Sequence, residues 1–198
     1  INTPEVAEDV IASGAADMVS MARPFLADPD FVNKAAADRG KFIAPCIACN
    51  QACLDHTFTG KEVSCLVNPR ACHETLLNYT PAQEPKKIAV VGAGPAGLAY
   101  AEVAASRGHH VTLFEASPEI GGQFNLAKQI PGKEEFHETI RYFKRMIAVR
   151  GIELKLNTRV TARDLKVGAY DEIVIATGIE PRTPDVEGID HGKVVSYI

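Results

Sequence analysis

The segment Lys87–Gly97 reads KIAVVGAGPAG, an apolar strand that runs into a turn with the glycine spacing GxGxxG. A helix rich in alanine follows, and a second apolar run, His110–Phe114, ends at Glu115. A glycine pattern alone is weak evidence. A strand, a glycine turn, a helix, a second strand and a terminal acid, in this order, are typical of a dinucleotide-binding βαβ unit. The segment therefore predicts a Rossmann-like domain over residues 87–198.

Each glycine of this turn has a role that follows from its lack of a side chain. Gly92 permits the tight turn, Gly94 lets the backbone approach a pyrophosphate, and Gly97 lets the helix lie close to the strand. The N–H groups at the start of the helix would face the phosphates. Glu115 can accept hydrogen bonds from both hydroxyls of an adenosine ribose, and its charge disfavours a 2′-phosphate at this site. The alternative that the residues leave open is an ordinary βαβ unit without a ligand.

Two segments further along the chain favour FAD over NAD as the dinucleotide. In Ile120–Gln123, IGGQ, the adjacent glycines Gly121 and Gly122 allow the backbone to approach a bulky cofactor. The apolar strand predicted over residues 171–178 ends in a small-residue turn at Gly178.

Between these segments the sequence predicts one helix and one strand. Glu134–Arg150 has the apolar periodicity of an amphipathic helix, and Ile152–Leu156 alternates apolar and polar residues like a half-exposed strand. Val160 follows where a backbone N–H and C=O can contact an adenine edge. Lys133, at the start of the helix, is either a cofactor contact or a solvated lysine.

Upstream, the stretch CIACNQACLDHTFTGKEVSC carries four thiols, at Cys46, Cys49, Cys53 and Cys65. The first three can converge from one loop and one helical turn, and the fourth must return from further along the chain. Zinc sites usually repeat a two-residue gap on both sides, whereas four thiolates at uneven spacing are typical of a 4Fe–4S cluster. The spacing therefore favours the cluster, with a zinc ion or unligated buried cysteines as alternatives. Cys72 lies outside the pattern and is predicted to be a small buried apolar side chain.

The N-terminal part of the chain predicts a helix, a strand and a second helix. The first helix begins at Thr3 and stops at Gly14, and Asp17–Ala22 is a short apolar run typical of a buried strand. Asp28 begins the second helix, which ends near Gly40. Because a parallel strand needs cover on both faces, this unit predicts the last part of a parallel α/β domain.

Arg23 and Pro24 are predicted to turn the chain into a loop just past that strand. In α/β barrels phosphate groups bind at this position. Arg23 is therefore either a phosphate ligand, helped by backbone N–H groups around Ala22 and Arg23, or an ordinary surface arginine.

Composition narrows the classes of function. The 198 residues carry a formal net charge of −4, which argues against a nucleic-acid surface as the main function. No apolar run is long enough to cross a bilayer and no secretory signal opens the chain, so we predict reduced cysteines in a cytoplasmic protein with no membrane partner. The absence of an initial Met, and a final run over residues 194–198 that resembles a shortened strand, predict a piece of a longer polypeptide.

Taken together, the motifs resemble the bacterial 2,4-dienoyl-CoA reductase family, iron–sulfur flavoproteins of the old-yellow-enzyme group. The likeness rests on DMVSMARPFLADPDF, CIACNQAC, VSCLVNPRACHE, KIAVVGAGPAGLA, EIGGQFNLAKQIPGKEEF and ATGIEPRTP, in this order, and covers essentially the whole chain. A trimethylamine-dehydrogenase-like or other enoate-reducing relative would share every motif. The alternative from a different class is a non-catalytic FAD-binding module with a structural metal.

The resemblance implies an α/β chain of several parts. Residues 1–45 would be the last part of an FMN-binding TIM barrel, 46–78 the iron–sulfur segment and 79–86 a linker, before an FAD-binding domain over 87–198 that is truncated ahead of the NADPH-binding part. In this family electrons pass from NADPH through FAD and a 4Fe–4S cluster to FMN, which reduces a conjugated dienoyl-CoA in the β-oxidation of unsaturated fatty acids. The family's acid–base residues lie in earlier barrel loops, so we expect no catalytic residue within this chain and no turnover by these 198 residues alone.

The resemblance also implies ligands residue by residue. Cys46, Cys49, Cys53 and Cys65 would hold the cluster, and Ala22 and Arg23 match the loop that binds the FMN phosphate. The positions that match FAD contacts are Ala96, Glu115, Gln123, Lys133 and Val160.

Overall fold

The computed structural model describes residues 1–196. The helices of this part of the chain are α1 (Pro4–Ala12), α2 (Arg23–Ala27), α3 (Phe31–Ala36), α4 (Leu54–Phe58), α5 (Pro95–Ser106), α6 (Phe124–Ala127), α7 (Phe136–Arg150) and α8 (Ala162–Val167), with one turn of 3-10 helix at Gly40–Phe42. None of the described helices is long and apolar enough to span a bilayer.

Four parallel strands form the sheet in the order β3-β2-β1-β4. They are β1 (Lys87–Val91), β2 (His110–Phe114), β3 (Glu153–Lys155) and β4 (Glu172–Ile175). The central strand β1 pairs on both sides, so that Val90 lies opposite Leu113 and Val174. The predicted strand–turn–helix–strand unit is confirmed. Because all four strands are parallel, their carboxyl ends meet at one edge of the sheet.

The main apolar core lies between the sheet and helices α5 and α7. Ile88, Leu98 and Leu113 are almost fully buried there, and Ile140 and Ile147 contribute the apolar face of α7. This confirms the predicted amphipathic helix, which begins at Phe136. A smaller cluster on the opposite face of the sheet includes Ala89, Phe114 and Leu165.

The N-terminal segment differs from its prediction beyond the first helix. Helix α1 has the predicted start, with the Thr3 hydroxyl accepting a hydrogen bond from the Val6 N–H. The predicted strand Asp17–Ala22 does not form, and Met18 is 78% exposed. A parallel strand needs hydrogen-bonding neighbours, and the described residues place none beside this segment. The end of a barrel therefore stays a prediction for residues 1–45.

Two neighbouring predictions are corrected at their boundaries. Arg23 was predicted to enter a loop, but it begins helix α2. Pro24 fits the first turn of this helix, because an N–H at that position would have no carbonyl of the helix to bond. Helix α3 ends at Ala36, earlier than the predicted Gly40, and the 3-10 turn follows. At the other end of the chain, residues 194–196 form no strand, and Tyr197 and Ile198 of the predicted final strand lie outside the described residues.

Helix α7 holds the segment that leads into the cysteines. The Arg141 guanidinium donates hydrogen bonds to the carbonyl oxygens of Lys41 and Ile43, at 3.0 and 3.2 Å. Phe42 lies between two guanidinium groups, those of Arg39 and Arg145, at 4.8 and 4.9 Å from its ring centre. These contacts place the N-terminal segment against the Rossmann-like domain.

Candidate functional site

Four of the five cysteines line one small cavity of about 20 Å³. The side chains of Cys46, Cys49, Cys53 and Cys65 are all half-buried. Arg23 also lines this cavity, and the remaining lining is mainly apolar. The structure thus brings together the four thiols that the spacing singled out.

The chain around these cysteines folds as a loop, one helical turn and a return. Cys53 is the residue that precedes helix α4, and its carbonyl accepts the Thr57 N–H at 2.9 Å. The Ser64 N–H then bonds to the Ala52 carbonyl at 2.8 Å, which brings Cys65 back beside the first three thiols. This is the convergence predicted from the spacing.

Cys72 is a correction, because its side chain is exposed and not buried. It occupies a left-handed backbone position with φ +66°, and its N–H donates to the Glu74 carboxylate at 3.1 Å. A turn of this kind lies at the surface, so the apolar character of the thiol does not decide its burial.

The four thiols of the cavity form a donor set of sulfur alone. Within the described residues, no three His, Cys, Asp or Glu side chains are arranged to hold one metal ion. A zinc ion needs all of its sulfur ligands at about 2.3 Å from one point. A 4Fe–4S cluster is a larger body and takes thiolates spread around its surface. Four thiols around one cavity match the thiolate-only ligation of a 4Fe–4S cluster, which stays a prediction for this chain.

The surroundings of Cys65 act on its thiol in both directions, and their net effect raises its pKa. Burial raises the pKa of its thiol, and the neighbouring Cys46 and Cys49 raise it further. Backbone N–H groups of Val67 and Asn68 act in the opposite direction, because hydrogen bonds to sulfur favour the thiolate. Such hydrogen bonds to a ligand sulfur are among the contacts by which proteins tune iron–sulfur clusters.

The second candidate site is an open cleft of about 960 Å³ at the carboxyl ends of the strands. Most of the predicted dinucleotide contacts line it. These residues are Gly92, Gly94, Ala96, Glu115, Gly122, Gln123, Val160 and Gly178.

The glycines of the first turn have the geometry that their predicted roles require. Gly92 has φ +104°, and a Cβ there would lie 2.3 Å from the Ala176 carbonyl oxygen. A Cβ on Gly97 would lie 1.9 Å from the Gly92 carbonyl oxygen, so Gly97 lies beneath the cleft and closes the helix onto the turn. A Cβ on Gly94 would meet no atom within 4 Å, which leaves its backbone open to a ligand at the start of helix α5.

Glu115 is held by two backbone N–H groups, those of Ala93 and Ser117, each donating to a different carboxylate oxygen at 2.8 Å. Each oxygen retains acceptor capacity, which suits a pair of ribose hydroxyls. The Glu115 carbonyl accepts the Thr158 N–H at 2.8 Å, and this bond brings Val160 to the same end of the cleft. The donor and acceptor set therefore fits the adenosine part of a dinucleotide.

Gln123 bridges the cleft by donating from its amide nitrogen to the Ile179 carbonyl at 2.7 Å. The sequence reasoning missed several lining residues, namely Pro95, Phe114, Ala116, Ser117, Thr158, Arg159, Ala176, Thr177, Ile179 and Glu180. Most of them follow directly after the ends of β1, β2 and β4 or flank Val160. These residues could have been predicted from the sequence, because ligands of parallel sheets bind beyond the carboxyl ends of the strands.

Besides Gly97, which lies beneath the cleft, three predicted residues lie outside it. Lys133 has its ammonium 5.3 Å from the centre of the Phe136 ring and does not line the cleft. Ala22 and Arg23 belong to the start of helix α2, and Arg23 lies at the cysteine cavity. The assignment of these three residues as flavin contacts stays a prediction.

Asp28 is a supporting residue that the sequence did not indicate as such. It is 3% exposed and accepts hydrogen bonds from the Lys34 ammonium at 2.5 Å and the Ala44 N–H at 2.9 Å. These bonds connect helix α3 to the backbone just before Cys46. Asp28 thereby fixes the entry to the cysteine loop.

Known proteins resemble this chain along most of its length. The metal reductase of Desulforamulus reducens is 44% identical over 199 residues, which cover 98% of this chain and 30% of the reductase. The solved complex of 2-naphthoyl-CoA reductase with 2-naphthoyl-CoA matches with a TM-score of 0.92 and 45% identity, over 96% of this chain and 29% of that protein. Histamine dehydrogenase from Rhizobium sp. 4-9 matches with a TM-score of 0.85 and 31% identity, over 91% of this chain and 27% of that enzyme. The chain thus spans about three tenths of the length of these proteins.

Two family models divide the chain between them. Residues 1–41 match the NADH:flavin oxidoreductase / NADH oxidase family. Residues 86–198, more than half of the chain, match the pyridine nucleotide-disulphide oxidoreductase family and contain the sheet and the cleft at the carboxyl ends of its strands. This chain therefore belongs to the pyridine nucleotide-disulphide oxidoreductase family.

Proposed function

We propose that this chain is the electron-relay part of an NADPH-dependent iron–sulfur flavoenzyme that reduces a double bond in a 2,4-dienoyl-CoA or a closely related unsaturated CoA thioester. The observation that carries the proposal is the convergence of four thiols on one cavity in a chain that also forms a dinucleotide cleft. The 45% identity to 2-naphthoyl-CoA reductase supports a CoA thioester as the class of substrate.

The residues of this chain hold and orient the redox groups. Cys46, Cys49, Cys53 and Cys65 would hold the 4Fe–4S cluster in their shared cavity. When bound, FAD and the cluster supply, respectively, two-electron and one-electron transfer. Protein groups decide where the dinucleotide lies, and the redox chemistry belongs to the cofactors.

In the dinucleotide cleft, three features share the binding of FAD. Glu115 would orient the ribose through its two fixed carboxylate oxygens. The backbone at Gly94 and the N-terminus of α5 would face the pyrophosphate, since no side chain fills that space. Val160 lines the cleft near Glu115, where its backbone can contact the adenine.

The remaining parts of the proposal concern residues 1–86. Residues 1–45 would complete a TIM barrel in the longer polypeptide, with Ala22 and Arg23 at the FMN phosphate. The match of residues 1–41 to the NADH:flavin oxidoreductase family supports this assignment. Residues 46–78 would form the cluster segment and 79–86 a linker.

A second candidate function is amine oxidation by a dehydrogenase of similar architecture. The TM-score of 0.85 with histamine dehydrogenase favours it, because the parts of the two chains that match differ little in fold. In this chain the two candidates share the cysteine cavity and the cleft. The residues that bind the substrate would distinguish them.

Two measurements test the proposal in sequence. Anaerobically purified chain is analysed for iron, acid-labile sulfide, zinc and flavin, and equal amounts of iron and sulfide with a broad visible absorption are expected. Zinc in place of iron would overturn the cluster and favour a non-catalytic FAD-binding module with a structural metal. The full-length polypeptide is then assayed with NADPH or NADH against a 2,4-dienoyl-CoA, 2-naphthoyl-CoA and histamine. Turnover of histamine alone would overturn the proposal that the substrate is a CoA thioester.

A further inference from the structure

Arg23 is the one charged residue, apart from the thiols themselves, among the residues that line the cysteine cavity in the described part of the chain. It is half-buried, and the ion pairs found among the described residues include none with Arg23. Its charge is therefore not neutralised by a carboxylate. The four thiols line the same cavity as Arg23 and carry a compensating negative charge when they are deprotonated.

The position of this guanidinium is held from two sides. Pro24, which follows it, is buried in helix α2 and anchors the backbone. One guanidinium nitrogen donates to the Asn50 side-chain oxygen at 2.5 Å. Asn50 lies between Cys49 and Cys53 and has a left-handed backbone with φ +60°, so the bond fixes Arg23 directly to the cysteine loop.

A fixed positive charge beside a cluster acts on its redox equilibrium. Reduction of the cluster takes up one electron and makes the bound thiolate–cluster unit more negative. A cation at the cavity wall stabilises the more negative state more strongly. Leu26 and Ile47 make part of the lining apolar, whereas the bond between Arg23 and Asn50 is exposed to solvent, which screens part of the attraction. Removal of the charge should therefore lower the reduction potential.

We propose that Arg23 raises the reduction potential of the 4Fe–4S cluster from the wall of the cysteine cavity, with Asn50 as the residue that positions it. This role rests on the cluster of the proposed function. The FMN phosphate predicted beside Ala22 and Arg23 would offset part of this charge in the longer polypeptide, so the role is tested on the 198-residue chain, where it needs only the cavity and its loop.

The test is a redox titration of the full 198-residue chain, followed by electron paramagnetic resonance with dithionite as reductant and soluble mediators. Arg23→Gln should lower the equilibrium constant for one-electron reduction of the cluster about tenfold, which corresponds to a fall of about 59 mV in its reduction potential. Arg23→Lys retains the positive charge and should change the same equilibrium constant less than threefold. Arg39→Gln is the matched control, because Arg39 belongs to the same segment but stacks on Phe42 and does not line the cavity.

The outcomes separate this role from the proposed function. Wild-type protein without iron and sulfide would overturn the cluster, and the role of Arg23 with it. Arg23→Gln protein with full iron content and the wild-type potential would overturn the role of Arg23 alone. If Arg23→Gln loses its iron, Asn50→Gly decides, because it removes the side chain that positions the guanidinium, adds no charge and tolerates the left-handed backbone. A lower potential supports the role of Arg23, and an unchanged potential overturns it.

Discussion

Gly94 and Gly97 lie three positions apart in one turn, and the structure predicts opposite consequences for the same substitution to alanine. At Gly97 a Cβ would lie 1.9 Å from the Gly92 carbonyl oxygen, where ordinary contact begins at 3.4 Å. At Gly94 a Cβ would meet no atom within 4 Å, and the backbone has φ −74° and ψ 179°, which alanine adopts freely. Gly97→Ala should therefore destabilise the fold, and Gly94→Ala should affect only the cleft.

The magnitudes follow from these contacts. A Cβ on Gly97 would lie closest to the carbonyl oxygen and carbon of Gly92, which belong to the backbone and cannot rotate away. The cost of overpacking should therefore lie at the upper end of the usual range, about 3 kcal/mol. The higher helix propensity of alanine offsets about 1 kcal/mol of this. The net loss of about 2 kcal/mol corresponds to a fall of about 1 M in the urea midpoint. Gly94→Ala reduces the conformational freedom of the unfolded chain, which stabilises the fold, but alanine is a poorer N-cap than glycine. The two effects nearly cancel, so the free energy of unfolding should change by less than about 1 kcal/mol.

The two variants are compared by urea unfolding, followed by circular dichroism, and by fluorescence titration with FAD. Gly94→Ala should bind FAD at least tenfold more weakly, about 1.4 kcal/mol, because its methyl group occupies the space proposed for the pyrophosphate. Wild-type affinity in Gly94→Ala would refute the placement of the pyrophosphate at this turn. A wild-type urea midpoint in Gly97→Ala would refute the reasoning from the backbone contact.

Three further predictions use other residues of the Rossmann-like domain. Leu113→Ala, at a fully buried core position, should lower the free energy of unfolding by about 2–5 kcal/mol in urea, and a loss below 1 kcal/mol would contradict its place in the core. Glu115→Gln should weaken FAD binding about tenfold, since hydrogen bonds to a neutral amide are weaker than those to a carboxylate, and an unchanged fluorescence titration would count against the ribose contact. The Thr161 N–H and hydroxyl lower the pKa of Asp164 below its ordinary 3.8, so the stability that Asp164 contributes is present above that pH and is lost as pH falls through the lower folded-state value. The melting temperatures of wild type and Asp164→Asn should therefore differ at neutral pH and converge in acid, and a constant difference would contradict this capping role.

The sequence by itself predicted much of the lining of the cleft at the carboxyl ends of the strands. The glycine turn, the acid at the end of β2 and the apolar face of α7 were all predicted, and Gly94, Glu115 and Val160 line the cleft. These features depend on local backbone sterics, on helix periodicity and on contacts between consecutive elements. A single stretch of chain carries the information for each of them.

Only the tertiary structure decided the surroundings of residues 17–22, Cys72 and Arg23. Asp17–Ala22 has the composition of a strand but forms none, and Cys72 has a side chain that is often buried but lies exposed. The sequence placed Arg23 after a strand, whereas the fold places it at the wall of the cysteine cavity against Asn50. The physical reason is the same in each case: strand pairing, burial and the neighbours of a charge depend on groups distant in the chain, and local pattern does not specify which groups these are.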